Sequence, residues 1–256
     1  ILDVDGHKFI CLEYRQGLGA HYNLKLDRAL ATSCNIYFHK VGVDTGIDKI
    51  SKWAEIFGLG SPTGIELPGE ASGIRPTREY KMETFRDVWR PADTAQIAIG
   101  QLYNSYTPLQ LANYIATLAN GGRKYKPHVI KSIINYDGTQ VTIEPEYEDI
   151  PIHQETINAV KKGMIAVTNS VEEGTAARIF ANYPYKVAGK TGTAQLGLEG
   201  QSDNALFVAY APADNPQIAI AVVIEHGVWG SNAAYVARDI LDEYFGLNDT
   251  KKSDEV

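Results

Sequence analysis

Lys190-Thr191-Gly192-Thr193 puts an ammonium group and two hydroxyls on one short segment, with Val187 before it and Ala194-Gln195 after it. On an extended strand such a segment can bind an anion: the ammonium supplies charge, and the hydroxyls donate to a carboxylate. Gly192 removes a side chain where a ligand must approach the backbone. A solvated strand lysine followed by a turn accounts for the same residues. Ser33-Cys34-Asn35 is the second candidate. A serine hydroxyl relays a proton, and an asparagine amide holds a donor or acceptor in place. Ser and Asn beside a helix also serve as caps. The two segments weigh more together, in the order Ser-x-Asn then Lys-Thr-Gly, with Ser33 157 residues before Lys190. A serine with a lysine one helical turn later, Ser-x-x-Lys, would add an activated nucleophile to such a pair. No lysine of this chain has a serine three residues before it; Tyr22 precedes Lys25 and Val187 precedes Lys190 at that spacing.

The elements that must position these residues follow from periodicity. Residues 24–41 read as a helix, with Leu26, Leu30, Cys34 and Phe38 on one face. A second helix covers 47–57 and stops at Gly58 and Gly60. Residues 58–91 read as a long ordered loop. Thr107 as N-cap, Pro108 at the first helical position and Gly121 as stop frame a helix over 107–120. Asp137-Gly138 marks a hairpin within 127–144. Helices are expected over 154–168 and 175–182. Strands are expected over 185–194, 205–211 and 217–225, with Asn215-Pro216 turning the last two, and a helix over 231–245. Short connections imply antiparallel pairing, so the layout is α+β: an antiparallel sheet flanked by helices plus a helical lobe.

Composition bounds the classes. With 256 residues, 44% hydrophobic and 21% charged, the chain is globular rather than disordered or collagen-like. No apolar run reaches membrane-helix length. Lys plus Arg number 24 against 31 Asp plus Glu, a net charge of −7 that disfavours a nucleic-acid partner. Cys11 and Cys34 make no disulfide framework. The chain starts at Ile1 without Met or a signal peptide, which reads as a mature or truncated start.

Further motifs carry a family resemblance. Gly46-Ile47-Asp48-Lys49, Thr63-Gly64-Ile65-Glu66-Leu67, Pro76-Thr77-Arg78-Glu79-Tyr80, Asp93-Thr94 and Ala98-Ile99-Gly100-Gln101 resemble the elongation-type class B penicillin-binding proteins, penicillin-binding protein 2 in particular. Thr107-Pro108-Leu109-Gln110, Gly174-Thr175-Ala176 and Phe207-Val208-Ala209-Tyr210-Ala211-Pro212 fit the same group. The resemblance spans about 24–245. It implies a β-lactamase/transpeptidase-like fold, N-terminally incomplete, over 1–246, with a polar tail at 247–256. It implies a D,D-transpeptidase that cross-links peptidoglycan stem peptides and is trapped by β-lactams. In that scheme Ser33 and Lys190 relay protons, Asn35 binds the substrate amide, and Thr191 and Thr193 hold the terminal carboxylate beside Gly192. The Thr193 N–H supplies half of an oxyanion hole. The acylated serine is expected upstream of Ile1, with a membrane anchor, so the parent would act on the extracytoplasmic side of the bacterial membrane and this chain alone would be inactive. A SEDS-type glycan polymerase and elongation-complex proteins are the implied partners.

The resemblance loosens before residue 24, where Gly17-Leu18-Gly19-Ala20-His21 replaces a Gly-His-Gly common in the family. Some relatives carry zinc near this region. Cys11, His21, Cys34, Asp3 and Asp5 are ligand types, but their spacing matches no standard zinc pattern, so packed thiols and no metal or other cofactor are expected. A D,D-carboxypeptidase or β-lactamase of the same fold is the enzymatic alternative; a non-catalytic β-lactam sensor or binding module is the other. Tyr103, Tyr106 and Tyr114 are read as packing residues, and His226 and Trp229 as a cleft border or loop anchor. Without the nucleophile helix an apolar face would open, predicting self-association or a rearranged first twenty residues.

Overall fold

The computed structural model describes residues 1–17, 19–197 and 200–248. A hairpin opens the chain, β1 (Leu2–Val4) against β2 (His7–Phe9), followed by the short helix α1 (Leu12–Arg15). Phe9 packs on the His39 ring, with centroids 4.3 Å apart. The helical lobe holds α2 (Leu26–Ala31), α3 (Asn35–Thr45), α4 (Ile47–Ile56), α5 (Arg78–Phe85) and α6 (Pro91–Ile97). Then come α7 (Pro108–Ala119) and four short strands, β3 (Arg123–Tyr125), β4 (Ser132–Ile134), β5 (Gln140–Thr142) and β6 (Tyr147–Asp149). The chain continues as α8 (Gln154–Asn169), β7 (Ala188–Ala194), β8 (Asn204–Ala211), β9 (Ile218–Ile224) and α9 (Gly230–Tyr244).

The last three strands form one antiparallel sheet in the order β7-β8-β9, with Lys190 opposite Val208 and Gly192 opposite Leu206. Strand alternation divides its side chains between two cores. Ala205, Phe207, Ala209 and Ala211 face Ala233, Ala234, Ala237 and Leu241 of α9. Tyr210 and Ala188 join Ile115 and Leu118 of α7 and Met164 of α8 on the other face. Each large apolar side chain buried this way contributes about 1.5–3 kcal/mol. No helix among the described residues is long and apolar enough to cross a membrane.

Several expectations are corrected. The helix expected over 24–41 is two helices, because Ser33 adopts a left-handed backbone (φ 52) and ends α2. The region 58–91 is not all loop: α5 is capped by Thr77, whose hydroxyl accepts from the Tyr80 amide at 3.0 Å, and α6 begins at Pro91. The segment 175–182 is a run of turns rather than a helix; Ala177 and Ile179 bond to carbonyls three residues back, and Asn182 is left-handed. The caps of α7 are as expected, with Thr107 and Gln110 forming a capping box. The hairpin at Asp137-Gly138 also forms, narrower than expected as β4 and β5. Of the polar tail, residues 249–256 lie outside the described residues.

Candidate active site

Helix packing places the Ser33 turn. A side chain at Gly163 of α8 would overlap Leu30 of α2, and one at Gly42 of α3 would overlap Ala98 beyond α6. These close approaches fix α2 and α3 on either side of residues 32–34. The turn is closed by amides of Ser33 and Cys34 donating to the carbonyls of Leu30 (3.2 Å) and Ala29 (3.0 Å). A left-handed backbone costs a non-glycine residue about 1–2 kcal/mol, and such strain concentrates at functional sites. Asn35 is the first residue of α3.

Across from this turn stands β7. Lys190 Nζ donates to Ser33 Oγ at 2.7 Å and to the Thr191 carbonyl at 2.8 Å. Burial pushes its ammonium down from 10.5 to about 8. A lysine so tuned can both give and take a proton near neutral pH, and the Ser33 hydroxyl lies within its hydrogen-bond reach. Thr191 Oγ1 lies 2.8 Å from Thr175 Oγ1, and Thr193 Oγ1 accepts from the Gly230 amide at 3.2 Å. The loop bearing Thr175 is tied down by the Arg28–Glu173 ion pair and by its amide to the Ala31 carbonyl. The close approach at Gly192 is made by α9: a side chain at Gly230 would overlap the Gly192 backbone, whereas a Cβ at Gly192 would come within 3.3 Å of Leu206.

The structure brings Ser33 of the first segment onto Lys190 of the second. Ser33 and Lys190 touch, Asn35 opens the next helix, and Thr191, Gly192 and Thr193 line the same strand. Sequence reasoning did not assign roles to Thr175, Gln101 or Gly230. The first two lie in motifs quoted only for their resemblance. Tyr103 packs among Tyr80, Phe85 and Trp89, and Tyr114 packs edge-on against Phe57. His226 anchors a loop through the Ser202 carbonyl (3.0 Å) and the Asn204 side chain (2.9 Å).

The fold also brings together what linear spacing had separated. Ligand atoms of Cys11, His21 and Cys34 all lie within 4.8 Å of one another, on a cavity of about 500 Å³. His21 faces Cys11 Sγ through Nδ1 (3.7 Å) and Glu13 through Nε2 (2.7 Å). Two thiols and an imidazole with a carboxylate behind it suit a borderline-soft divalent ion such as zinc, whose tetrahedral ligands sit roughly 3.5–4 Å apart. Such an ion would brace Cys34, the middle residue of Ser33-Cys34-Asn35. The expectation of merely packed thiols rested on spacing, which does not report this convergence.

Comparison with known proteins follows the geometry. Residues 7–242 match the family described as penicillin binding protein transpeptidase domain. The peptidoglycan D,D-transpeptidase MrdA of Haemophilus influenzae is 39% identical, over 88% of this chain and 37% of its own length. The Escherichia coli K12 protein of the same name is 38% identical, over 90% and 38%. The chain thus spans under two fifths of the length of these curated relatives. Among solved structures, Pseudomonas aeruginosa PBP2 in complex with WCK 5153 superposes with a TM-score of 0.77 at 39% identity, covering 86% of this chain and 49% of that one. Helicobacter pylori PBP2 in complex with MreC gives 0.81 at 31% identity, covering 96% and 44%.

Proposed function

The chain belongs to the penicillin-binding protein transpeptidase family, and on that premise we propose that its site serves peptidoglycan D,D-transpeptidation in the whole protein. The donor is a stem peptide ending in D-Ala-D-Ala. A serine supplied by sequence outside these 256 residues attacks the penultimate carbonyl, and its acyl bond forms as the bond to the terminal D-Ala breaks. Ser33 and Lys190 carry a proton to the departing amine. The Thr191 and Thr193 hydroxyls hold the terminal carboxylate, the Thr193 N–H faces the oxyanion, and Asn35 binds the donor's amide. An amine of a neighbouring stem then takes the acyl group. A missing oxyanion donor costs on the order of 10²–10³ in rate, and a missing nucleophile removes the covalent route.

The observation that carries this reading is the 2.7 Å bond between Lys190 Nζ and Ser33 Oγ, made by residues 157 positions apart. Relatives named D,D-transpeptidase favour it over a carboxypeptidase, a β-lactamase or a binding module. β-Lactams are proposed as ligands, and elongation-complex proteins, a SEDS-type polymerase included, as partners on the extracytoplasmic face. Support comes from relatives solved with MreC and within a peptidoglycan synthase complex. The test is the coding sequence upstream of Ile1 together with fluorescent-penicillin labelling. A Ser-x-x-Lys there, labelling of the full-length protein and its loss in Lys190→Ala are expected. An upstream sequence without Ser-x-x-Lys would sink the proposal.

A further inference from the structure

Gln101 spans the cleft at the end opposite Lys190 and Ser33. Its Nε2 donates to the Thr193 carbonyl at 2.9 Å, and its Oε1 accepts from the Gln195 amide at 3.2 Å. The carboxamide meets Thr193 and Gln195 as one peptide unit of a neighbouring strand would, filling an edge position of β7. Its own backbone is held in an unusual turn. Gly100 (φ 78) and Leu102 (φ 65) flank it, both left-handed, and Leu102 lacks glycine's freedom. Asn104 Nδ2 donates to the carbonyls of Gln101 (3.0 Å) and Ile97 (3.1 Å), and Tyr106 donates to Asn104 Oδ1 at 2.9 Å. A strained turn braced this heavily, delivering one side chain to the substrate strand, is what a functional constraint leaves behind.

We infer that Gln101 is a positioning residue for acyl transfer, fixing the Thr193 peptide to the helical lobe that carries Ser33. The inference rests on the transpeptidase reading. Three ties then set the two cleft walls: Lys190 to Ser33, Gln101 to Thr193 and Gln195, and Gly230 to Thr193 from α9. The Thr193 N–H belongs to the residue whose carbonyl Gln101 holds, so releasing that carbonyl lets the oxyanion donor drift from the reacting carbonyl.

Gln101→Glu keeps size and an acceptor for the Gln195 amide, but turns a carboxylate oxygen toward the Thr193 carbonyl. In the full-length protein, fluorescent-penicillin labelling at several concentrations separates binding from the acylation rate constant. Gln101→Glu should lower that rate constant on the order of ten- to hundredfold, the scale of a misplaced reacting group. Binding and the thermal unfolding midpoint should stay at wild-type values. Asn104→Asp, which removes both donors bracing the turn, should act in the same direction but less. An unchanged rate constant overturns the inference. So does a loss confined to a smaller labelled fraction with a lower unfolding midpoint, which marks a purely structural role. In the 256-residue chain, Gln101→Ala should speed hydrogen exchange at the Gln195 amide; unchanged exchange also overturns it. Wild-type protein that is not labelled while the Gln195 amide is protected instead refutes the transpeptidase reading, and the inference with it.

Discussion

Replacing Lys190 by Met should change how the protein's stability depends on pH. Burial lowers the folded-state pKa of Lys190 from 10.5 to about 8. Between those values the unfolded chain binds more protons than the folded one, so this group makes wild-type stability rise with pH. Below about 8 both states are charged and its contribution is flat. The full shift corresponds to about 3 kcal/mol, and about 2 kcal/mol is recovered by about pH 9.5. Near neutral pH, Lys190→Met relieves that burial cost. It also strips Ser33 Oγ and the Thr191 carbonyl of a donor, at about 1 kcal/mol each. The variant should therefore be about 1 kcal/mol more stable than wild type near neutral pH and about 1 kcal/mol less stable at about pH 9.5. Urea unfolding of both proteins under both conditions reads this directly, since titrations of other groups cancel in the difference. The same wild-type-to-variant difference at both pH values would refute the reasoning.

Four further outcomes are expected. Gly42→Ala should destabilise by about 1–3 kcal/mol in denaturant, because its Cβ would overlap Ala98 and this overpacking outweighs the helix-propensity gain; Ala98→Gly should restore it. Lys81 is 3% exposed and donates to Asp93 (2.6 Å) and the Val88 carbonyl (2.9 Å), so Lys81→Ala should cost about 3 kcal/mol by removing the cation that pairs with Asp93, whose carboxylate keeps the Arg90 amide. Gly230→Ala should push the start of α9 off Gly192, seen as lost penicillin labelling of the full-length protein together with a lower unfolding midpoint. Cobalt(II) added to the reduced protein should give thiolate charge-transfer absorption that Cys34→Ser and His21→Ala each weaken; spectra without such bands would show that the cluster holds no metal.

The parts of the fold legible in sequence are those with local signals. Thr107 and Pro108 announce the start of α7 and Gly121 its stop, and the apolar run 205–211 announces a strand, whose division between two cores appears only once β8 is packed. The Ser33–Lys190 pair was legible through motif order. The break at Ser33 was not, because serine carries no intrinsic preference for the left-handed backbone and the apolar spacing runs on through Cys34. Helices α5 and α6 were hidden for a different reason: they are short, and α5 turns Lys81 inward onto an aspartate of α6, a tertiary pairing that periodicity treats as solvated charge. Cys11, His21 and Cys34 converge only when α1, the loop before α2 and the Ser33 turn are assembled. Gln101 likewise looks like any polar loop residue until β7 lies beside it.

The central claim is that the acylated serine lies outside these 256 residues, while Lys190 and Ser33 pass a proton to the departing amine. Intact-mass measurement after incubation with a penicillin tests it most directly. The 256-residue chain should keep its unmodified mass, and the full-length protein should gain the mass of one β-lactam. An adduct on Ser33 in the 256-residue chain, or none in the full-length protein, would contradict the account.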